Sequence, residues 1–257
     1  MSTNAIPPPG PRVAIVTGGA SGIGLATVEY LLAAGHRVAA VDRDAEGLAR
    51  LATHAAGPRL MTVVADLARA EAPAQVASAV AGQLGAVSIL VNNAGIAPKH
   101  NGRGWNAVEV SLEEWHTVLA INLTAVLLLS KAVIPGMQAQ RYGRIVNVSS
   151  SAGRTAAFQN GAAYMASKAG LLGLTRHFAS AFGRDGITAN AVAPGRIVTP
   201  LSSQWSAERE ALYNQTNPVG RSGTMEEAAA AIGYLASEQA GFTNGAIIDV
   251  NGGAFMA

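Results

Sequence analysis

The chain has 257 residues, of which 49% are hydrophobic and only 13% charged, and its mean hydropathy is +0.25. Such a composition excludes a disordered chain and demands a sizeable core, in one large α/β domain or two small ones. The lack of cysteine excludes a disulfide scaffold, a thiolate metal site and a cysteine nucleophile, and a net charge of +2 without any Lys/Arg run argues against nucleic acid as a partner.

Residues 1–11 are Pro-rich and carry neither a basic nor an apolar leader pattern, which predicts a short disordered tail on a cytoplasmic protein. From residue 12 onward, short β-branched runs alternate with helical patterns. Strands are predicted over 12–16, 37–41, 60–64, 88–91, 144–148, 188–192 and 246–250. Helices are predicted over 22–34, about 73–84, 111–134, 164–182 and about 224–236, with Ser111 and Glu114 forming a capping box. The strands lack polar alternation and are therefore expected to be buried on both faces, as parallel strands between helices are. No linker or repeat interrupts the pattern, so residues 12–257 read as one doubly wound α/β domain. The longest apolar stretch, Ala125–Leu129, ends at Ser130 and Lys131, short of the roughly 18 residues needed to span a bilayer, so no membrane partner is expected.

The first strand runs into Thr17-Gly18-Gly19-Ala20-Ser21-Gly22-Ile23-Gly24, a glycine-rich turn that opens a helix. Backbone N–H groups and the positive end of the helix dipole at such a turn suit a pyrophosphate, although a glycine-rich turn can also be only a tight connection. Asp42 ends the second strand, where a carboxylate accepts hydrogen bonds from ribose hydroxyls and repels a 2′-phosphate. The alternative is a cap on the next helix, and Arg43 beside it argues for a 2′-phosphate. Balancing the two, NAD is expected in preference to NADP. Farther along, Tyr164 follows Ser150 by fourteen residues, and Lys168 lies one helical turn beyond Tyr164. A phenol with an ordinary pKa of about 10 is a poor base at neutral pH unless its anion is stabilised, as a nearby ammonium would do in a desolvated cleft. Such a pair is otherwise only a surface Tyr–Lys contact. The five histidines, His36, His54, His100, His116 and His177, show no metal-ligand spacing, so no metal is expected.

Taken together, Thr17-Gly18-x-x-x-Gly22-Ile23-Gly24, Asp66-Leu67, Asn92-Asn93-Ala94-Gly95, Asn122, Ser150, Tyr164-x-x-x-Lys168, Pro194-Gly195 and Thr199 resemble the short-chain dehydrogenase/reductase family over nearly the whole chain. The resemblance implies a Rossmann-type sheet and hydride transfer at a nicotinamide. It further implies that Tyr164 moves the proton, Ser150 positions the substrate oxygen, Lys168 holds the nicotinamide ribose and lowers the Tyr164 pKa, and Asn122 anchors a water that relays protons. Cofactor contacts are implied for Gly18, Ser21, Gly22, Ile23, Gly24, Asp42, Asp66, Leu67, Asn93, Ala94, Gly95, Pro194, Gly195, Ile197 and Thr199, besides Tyr164 and Lys168. Counting back from Tyr164 by the family's usual spacing gives Ser151, whereas alignment from the preceding strand gives Ser150, which is preferred.

The expected reaction is interconversion of a small secondary alcohol and its ketone with NAD(H). The resemblance also extends to 3-oxoacyl carrier-protein reductases that use NADPH. Arg141 fits that alternative as a basic residue at the site mouth, and Asp185 does not. A non-catalytic dinucleotide-binding sensor is the reading from another class, and the retained Tyr164 and Lys168 speak against it. Apolar residues on several faces of the two longest helices, Leu119, Leu123, Leu127, Leu171, Leu174 and Phe178, predict a homotetramer. Two connections exceed the usual length, 95–110 and 195–223, and both follow strand ends where ligands bind. Lys99, His100 and Arg103 in the first suggest an anionic group on the substrate, with Trp105, Trp205 and Tyr213 covering its apolar part; an ordinary solvated loop is the alternative.

Overall fold

The computed structural model describes residues 10–54, 57–156, 159–199 and 206–256. Seven strands, β1 (Val13–Thr17), β2 (Arg37–Asp42), β3 (Leu60–Val64), β4 (Val87–Asn92), β5 (Gly143–Val148), β6 (Ile187–Pro194) and β7 (Ile247–Val250), pair in parallel in the order β3-β2-β1-β4-β5-β6-β7. Successive side chains of a strand point to opposite faces, so each strand feeds two cores. Val13, Ile15, Leu90 and Ile145 pack on one face against α3 (Ala72–Leu84), α5 (Ala125–Gln140) and α6 (Ala162–Phe182). Ala14, Val16, Ile89 and Val146 pack on the other against α1 (Gly22–Ala33), α2 (Ala45–His54) and α8 (Met225–Ala236). The doubly wound Rossmann-type sheet expected from the sequence is present as one domain. Strand order reverses between β1 and β4, and the C-terminal ends of these two strands open the crevice where ligands of such sheets bind.

The long helix expected over 111–134 differs in two respects. Residues Leu112–Leu119 (α4) pass through a π turn, Ala120–Thr124, before α5 begins, and α5 continues through Pro135 to Gln140. Pro135 removes the hydrogen bond to the carbonyl of Lys131. Lys131 itself is exposed, while Met137, two residues past the proline, is fully buried. The whole run Leu112–Gln140 is long and apolar enough to cross a membrane by length and composition. Here Leu129, Val133, Ile134 and Met137 instead pack in the core beneath the sheet. The capping box at Ser111 is half formed. Ser111 Oγ accepts the N–H of Glu114 at 3.1 Å, but the Glu114 carboxylate turns to His100 Nε2 at 2.6 Å. A complete box caps α8 instead, between Thr224 and Glu227. The sequence reading named neither α2 nor α7 (Ala207–Thr216). Asp44 accepting from the N–H of Gly47 at 3.0 Å, and Leu48 and Leu51 on one buried face, are the signals for α2.

A buried polar chain ties the strands nearest the crevice to α6. Asn92 Nδ2 donates to Asn147 Oδ1 at 2.8 Å, Asn147 Nδ2 donates to Thr175 Oγ1 at 2.8 Å, and Thr175 Oγ1 donates to the carbonyl of Leu171 at 2.8 Å. Removing the central amide leaves a donor and an acceptor unsatisfied in a water-free interior. Asn147→Ala is therefore expected to cost about 2–4 kcal/mol and to lower Tm by about 5–10 °C in a thermal melt, a larger loss than for a surface substitution.

Candidate active site

At the switch point, β1 and β4 are stitched together by side chains. Thr17 Oγ1 accepts the N–H groups of Asn93 and Ala94, each at 3.0 Å, and Asn93 Nδ2 donates to the carbonyls of Thr17 at 2.9 Å and Gly18 at 3.3 Å. The turn that follows needs glycine for two separate reasons. Gly18 and Gly22 have φ of +67° and +58°, in the left-handed region. Gly24 lies where a Cβ would overlap the Gly18 carbonyl oxygen, so it brings α1 against the turn. Ser21, at the N-cap of α1, makes no side-chain cap and the first turn holds no acidic residue. The first N–H groups of the helix therefore face the crevice uncapped, as a bound phosphate requires.

The crevice is a cleft of about 450 Å³. At one end stands Asp42, whose Oδ2 accepts the N–H of Ala20 and whose Oδ1 accepts that of Asp44, both at 3.1 Å. The cap of α2 is Asp44, so Asp42 is left to present its carboxylate to the cleft, with Arg43 beside it. Asp66, anchored through the N–H of Ala68 at 3.0 Å, and Leu67 form the adjacent wall.

At the other end lie Ser150, Tyr164 and Lys168. Ser150 ends the β5 extension, and its Oγ accepts the N–H of Ala152 at 3.1 Å. Burial raises the Tyr164 pKa, and the hydrogen bond with Ser150 lowers it in part. Lys168 is 4% exposed and donates to the carbonyl of Val148 at 2.8 Å; burial lowers its pKa to about 8. Its Nζ lies 5.8 Å from the centroid of the Tyr164 ring. In this structure burial and Ser150, rather than Lys168, set the phenol. Ser149 Oγ closes the arrangement by donating to the Lys168 carbonyl at 2.8 Å.

Ser21, Gly22, Ile23, Ala94, Gly95, Pro194, Gly195, Ile197 and Thr199 line the same cleft, as do Gly18 and Asn93. Asn122 and Gly24 do not. Asn122 sits in the π turn, fully buried, and its amide is occupied: Oδ1 accepts the N–H of Ile96 at 2.8 Å, and Nδ2 donates to the Ile96 carbonyl at 3.0 Å and to Ser167 Oγ at 3.1 Å. Its side chain positions the wall after Gly95. The choice between the two serines is geometric, since Ser150 lines the cleft beside Tyr164 while Ser151 begins a 3₁₀ turn. Sequence reasoning missed Ile96, Ala97 and Ile121, apolar wall residues with no motif of their own.

The connection after Gly95 is ordered by its own contacts. His100 and Arg103 close a two-residue turn through Asn101 and Gly102, both with positive φ, and His100 stacks on Trp105 with ring centroids 3.5 Å apart. Arg103 grips Glu109 with two bonds of 2.6 Å, and His100 meets Glu114. Two of the three basic groups expected to face an anionic substrate are thus bonded to carboxylates of the chain itself. The Trp105 carbonyl accepts the N–H of Ala162 at 2.9 Å, tethering the start of α6 just before Tyr164. Tyr213 accepts a bond from Asn217 Nδ2 at 2.9 Å, and Trp205 lies outside the described residues.

A family model described as enoyl-(acyl carrier protein) reductase matches residues 18–254. The chain is 38% identical over 245 residues to D-threitol dehydrogenase of Mycolicibacterium smegmatis, covering 94% of this chain and 92% of the relative. It is 40% identical over 248 residues to cis-4-hydroxycyclohexanecarboxylate dehydrogenase of Sinomonas cyclohexanicum, covering 94% and 96%. Among solved structures, a 3-oxoacyl-[acyl-carrier protein] reductase of Brucella melitensis with bound NAD superposes with a TM-score of 0.88 at 33% identity, covering 96% of this chain and 92% of that one.

The Lys168 pKa carries a prediction about pH. Because burial lowers it from 10.5 to about 8, the unfolded chain holds a proton that the folded chain releases between these values. Stability therefore rises with pH across that window, and the burial penalty is fully present below it. Relative to Lys168→Met, the wild-type apoprotein is expected to gain up to about 3 kcal/mol between pH 7.5 and 10.5, measured by urea denaturation. A parallel pair of stability curves would contradict the buried ammonium.

Proposed function

This chain belongs to the short-chain dehydrogenase/reductase family, whose members are NAD(P)-dependent oxidoreductases of CH–OH groups, and we propose that it interconverts a small secondary alcohol and its ketone with a preference for NAD. The observation that carries this reading is the convergence of Ser150, Tyr164 and Lys168 on one cleft with the glycine-rich turn and Asp42. The donor set fits a dinucleotide: an uncapped helix N-terminus for the pyrophosphate, Asp42 for the ribose, and the wall from Pro194 to Thr199 for the carboxamide.

When bound, the nicotinamide supplies the hydride acceptor or donor for the carbinol carbon. Tyr164 takes the proton of the alcohol hydroxyl during oxidation and returns it to the carbonyl oxygen during reduction. Ser150 Oγ, held by the N–H of Ala152 next to the phenol, bonds the same oxygen and orients it. Lys168, buried in the same cleft, supplies donors for ribose hydroxyls. Its lowered pKa also suits it to pass a proton on near neutral pH. Asn122 acts by fixing Ile96 rather than by touching the reacting atoms.

The preference for NAD rests on the Asp42 carboxylate, which two backbone N–H bonds prevent from swinging away from a 2′-phosphate. The carrier-protein alternative loses a support, because Arg141 lies at the start of β5, opposite the cleft, 3.7 Å from Asp185. A homotetramer is supported by a shallow apolar groove between α5 and α6, lined by Leu123, Leu127 and Leu174, and by the half-exposed edge strand β7. Leu171 and Phe178, by contrast, face the core.

Tyr164→Phe is expected to retain dinucleotide binding and to lower kcat by about 10²–10⁴ in a screen of NAD⁺ reduction by secondary alcohols. Retention of a tenth of the wild-type rate would remove Tyr164 from its role. For the cofactor, kcat/KM is expected to be at least about tenfold higher with NAD than with NADP, and Asp42→Ser should raise NADP use selectively. Equal use of both by the wild type would mean that Arg43 outweighs Asp42.

A further inference from the structure

The turn that carries Ser150 away from β5 is packed from one side and anchored from the other. Ser150 Oγ accepts the N–H of Ala152 at 3.1 Å, the Ser150 carbonyl accepts that of Gly153 at 3.0 Å, and the Ser151 carbonyl accepts those of Arg154 and Thr155 at 2.9 and 3.0 Å. The hydroxyl is therefore rigid within the turn and moves wherever the turn moves. On the α6 side the fit is tight, because a Cβ at Gly153 would lie 2.7 Å from the Lys168 carbonyl carbon. Packing of that kind limits approach in one direction only, so a second contact is needed to hold the turn against α6.

Arg154 makes that contact. Its Nη1 donates to Asp249 Oδ2 on β7, ninety-five positions along the chain, and its guanidinium lies 5.0 Å from the centroid of the Phe255 ring. Both supports are themselves fixed. Asp249 stands opposite Ala193 in the β6–β7 ladder, the Phe255 carbonyl accepts Asn251 Nδ2 at 2.9 Å, and the Asn251 carbonyl accepts Asn217 Nδ2 at 2.9 Å. The Arg154 and Asp249 side chains are only 17% and 23% exposed, and Asp249 Oδ1 is buried with no hydrogen bond among the described residues. Taking away either partner leaves the other largely desolvated and unpaired. Of residues 151–156, Arg154 is the one whose side chain bonds to a distant element among the described residues.

We propose that Arg154 is a positioning residue for the reaction: bridged to Asp249 and Phe255, it sets the angle at which the turn after β5 presents Ser150 Oγ to the substrate oxygen beside Tyr164. This rests on the dehydrogenase reading above and adds to it a long-range contact that controls one of its groups. A displacement of about 1 Å at a group that orients the reacting atoms is enough to lower a rate on the order of a hundredfold. The lever acts at the proton-handling end of the cleft. Asp42 and the glycine-rich turn stand at the other end, so turnover and dinucleotide binding separate.

The test measures kcat with NAD for the best of 2-butanol, cyclohexanol and cis-1,2-cyclohexanediol, and the Kd for NAD by fluorescence titration. The variants are Arg154→Gln, Arg154→Lys, Ser150→Ala and the double variant of Ser150→Ala with Arg154→Gln. Arg154→Gln is expected to lower kcat by about 10- to 100-fold with the Kd for NAD within about twofold of wild type, and Arg154→Lys to recover at least about fivefold of that loss. In the Ser150→Ala background, adding Arg154→Gln should lower kcat by less than about twofold, because the hydroxyl it positions is already gone. A kcat unchanged in Arg154→Gln, a loss matched by an equal loss of NAD binding, or a loss that persists in full without the Ser150 hydroxyl overturns the positioning role and leaves the dehydrogenase reading standing. Where Arg154→Gln does not fold, Arg154→Lys and Asp249→Asn carry the same comparison. No turnover of any secondary alcohol with NAD or NADP overturns the dehydrogenase reading instead. Amide hydrogen exchange then decides the anchor: faster exchange in Arg154→Gln at Ala152, Gly153 and Arg154, with β5 unchanged, supports it, and unchanged exchange across residues 150–155 overturns it.

Discussion

The stitch between Thr17 and Asn93 is the constraint on which the rest of the site depends. Strands β1 and β4 are neighbours in the sheet but far apart in the chain, and after their last ladder bonds the two connections diverge to opposite faces. One threonine hydroxyl accepting two N–H groups, and one amide donating to two carbonyls, hold those departures together. A Cβ at Gly18 would lie 2.7 Å from Asn93 Nδ2, so the glycine and the amide require each other. Between them they fix the uncapped N-terminus of α1 against the wall formed by Ala94 and Gly95.

The proton-handling end of the cleft is built on the opposite principle, with polar groups held where water does not reach. Lys168 is placed by the Val148 carbonyl and Asn122 by Ile96 and Ser167. A Cβ at Gly95 would stand 3.3 Å from both Lys168 Nζ and Asn122 Oδ1, so the wall approaches both as closely as a glycine permits. Desolvation moves the lysine and tyrosine in opposite directions, lowering one pKa and raising the other, because burial favours the neutral form of each. The hairpin after Gly95 adds rigidity. Gly104 and Gly161 touch backbone to backbone, and the Trp105 carbonyl receives the first turn of α6.

Much of this was legible in the sequence, and each legible feature is local. Unbroken runs such as Val13–Thr17 and Gly143–Val148 imply buried parallel strands because parallel sheets are covered on both faces. The glycine spacing implies a turn into a helix, Asp42 falls at a strand end, and Tyr164 and Lys168 share a helix face, since these are consequences of backbone period and torsion. Only the tertiary structure decided what long-range contacts control. The helix passes Pro135 because Met137 is buried beyond it, and Glu114 abandons its cap because His100, brought by a distant turn, offers a stronger partner. Asn122 acts through a backbone contact twenty-six positions away, and Arg103, His100 and Lys99 each bond to groups of the chain itself. Which charge meets which partner depends on where separate loops arrive, and no spacing along the chain encodes that.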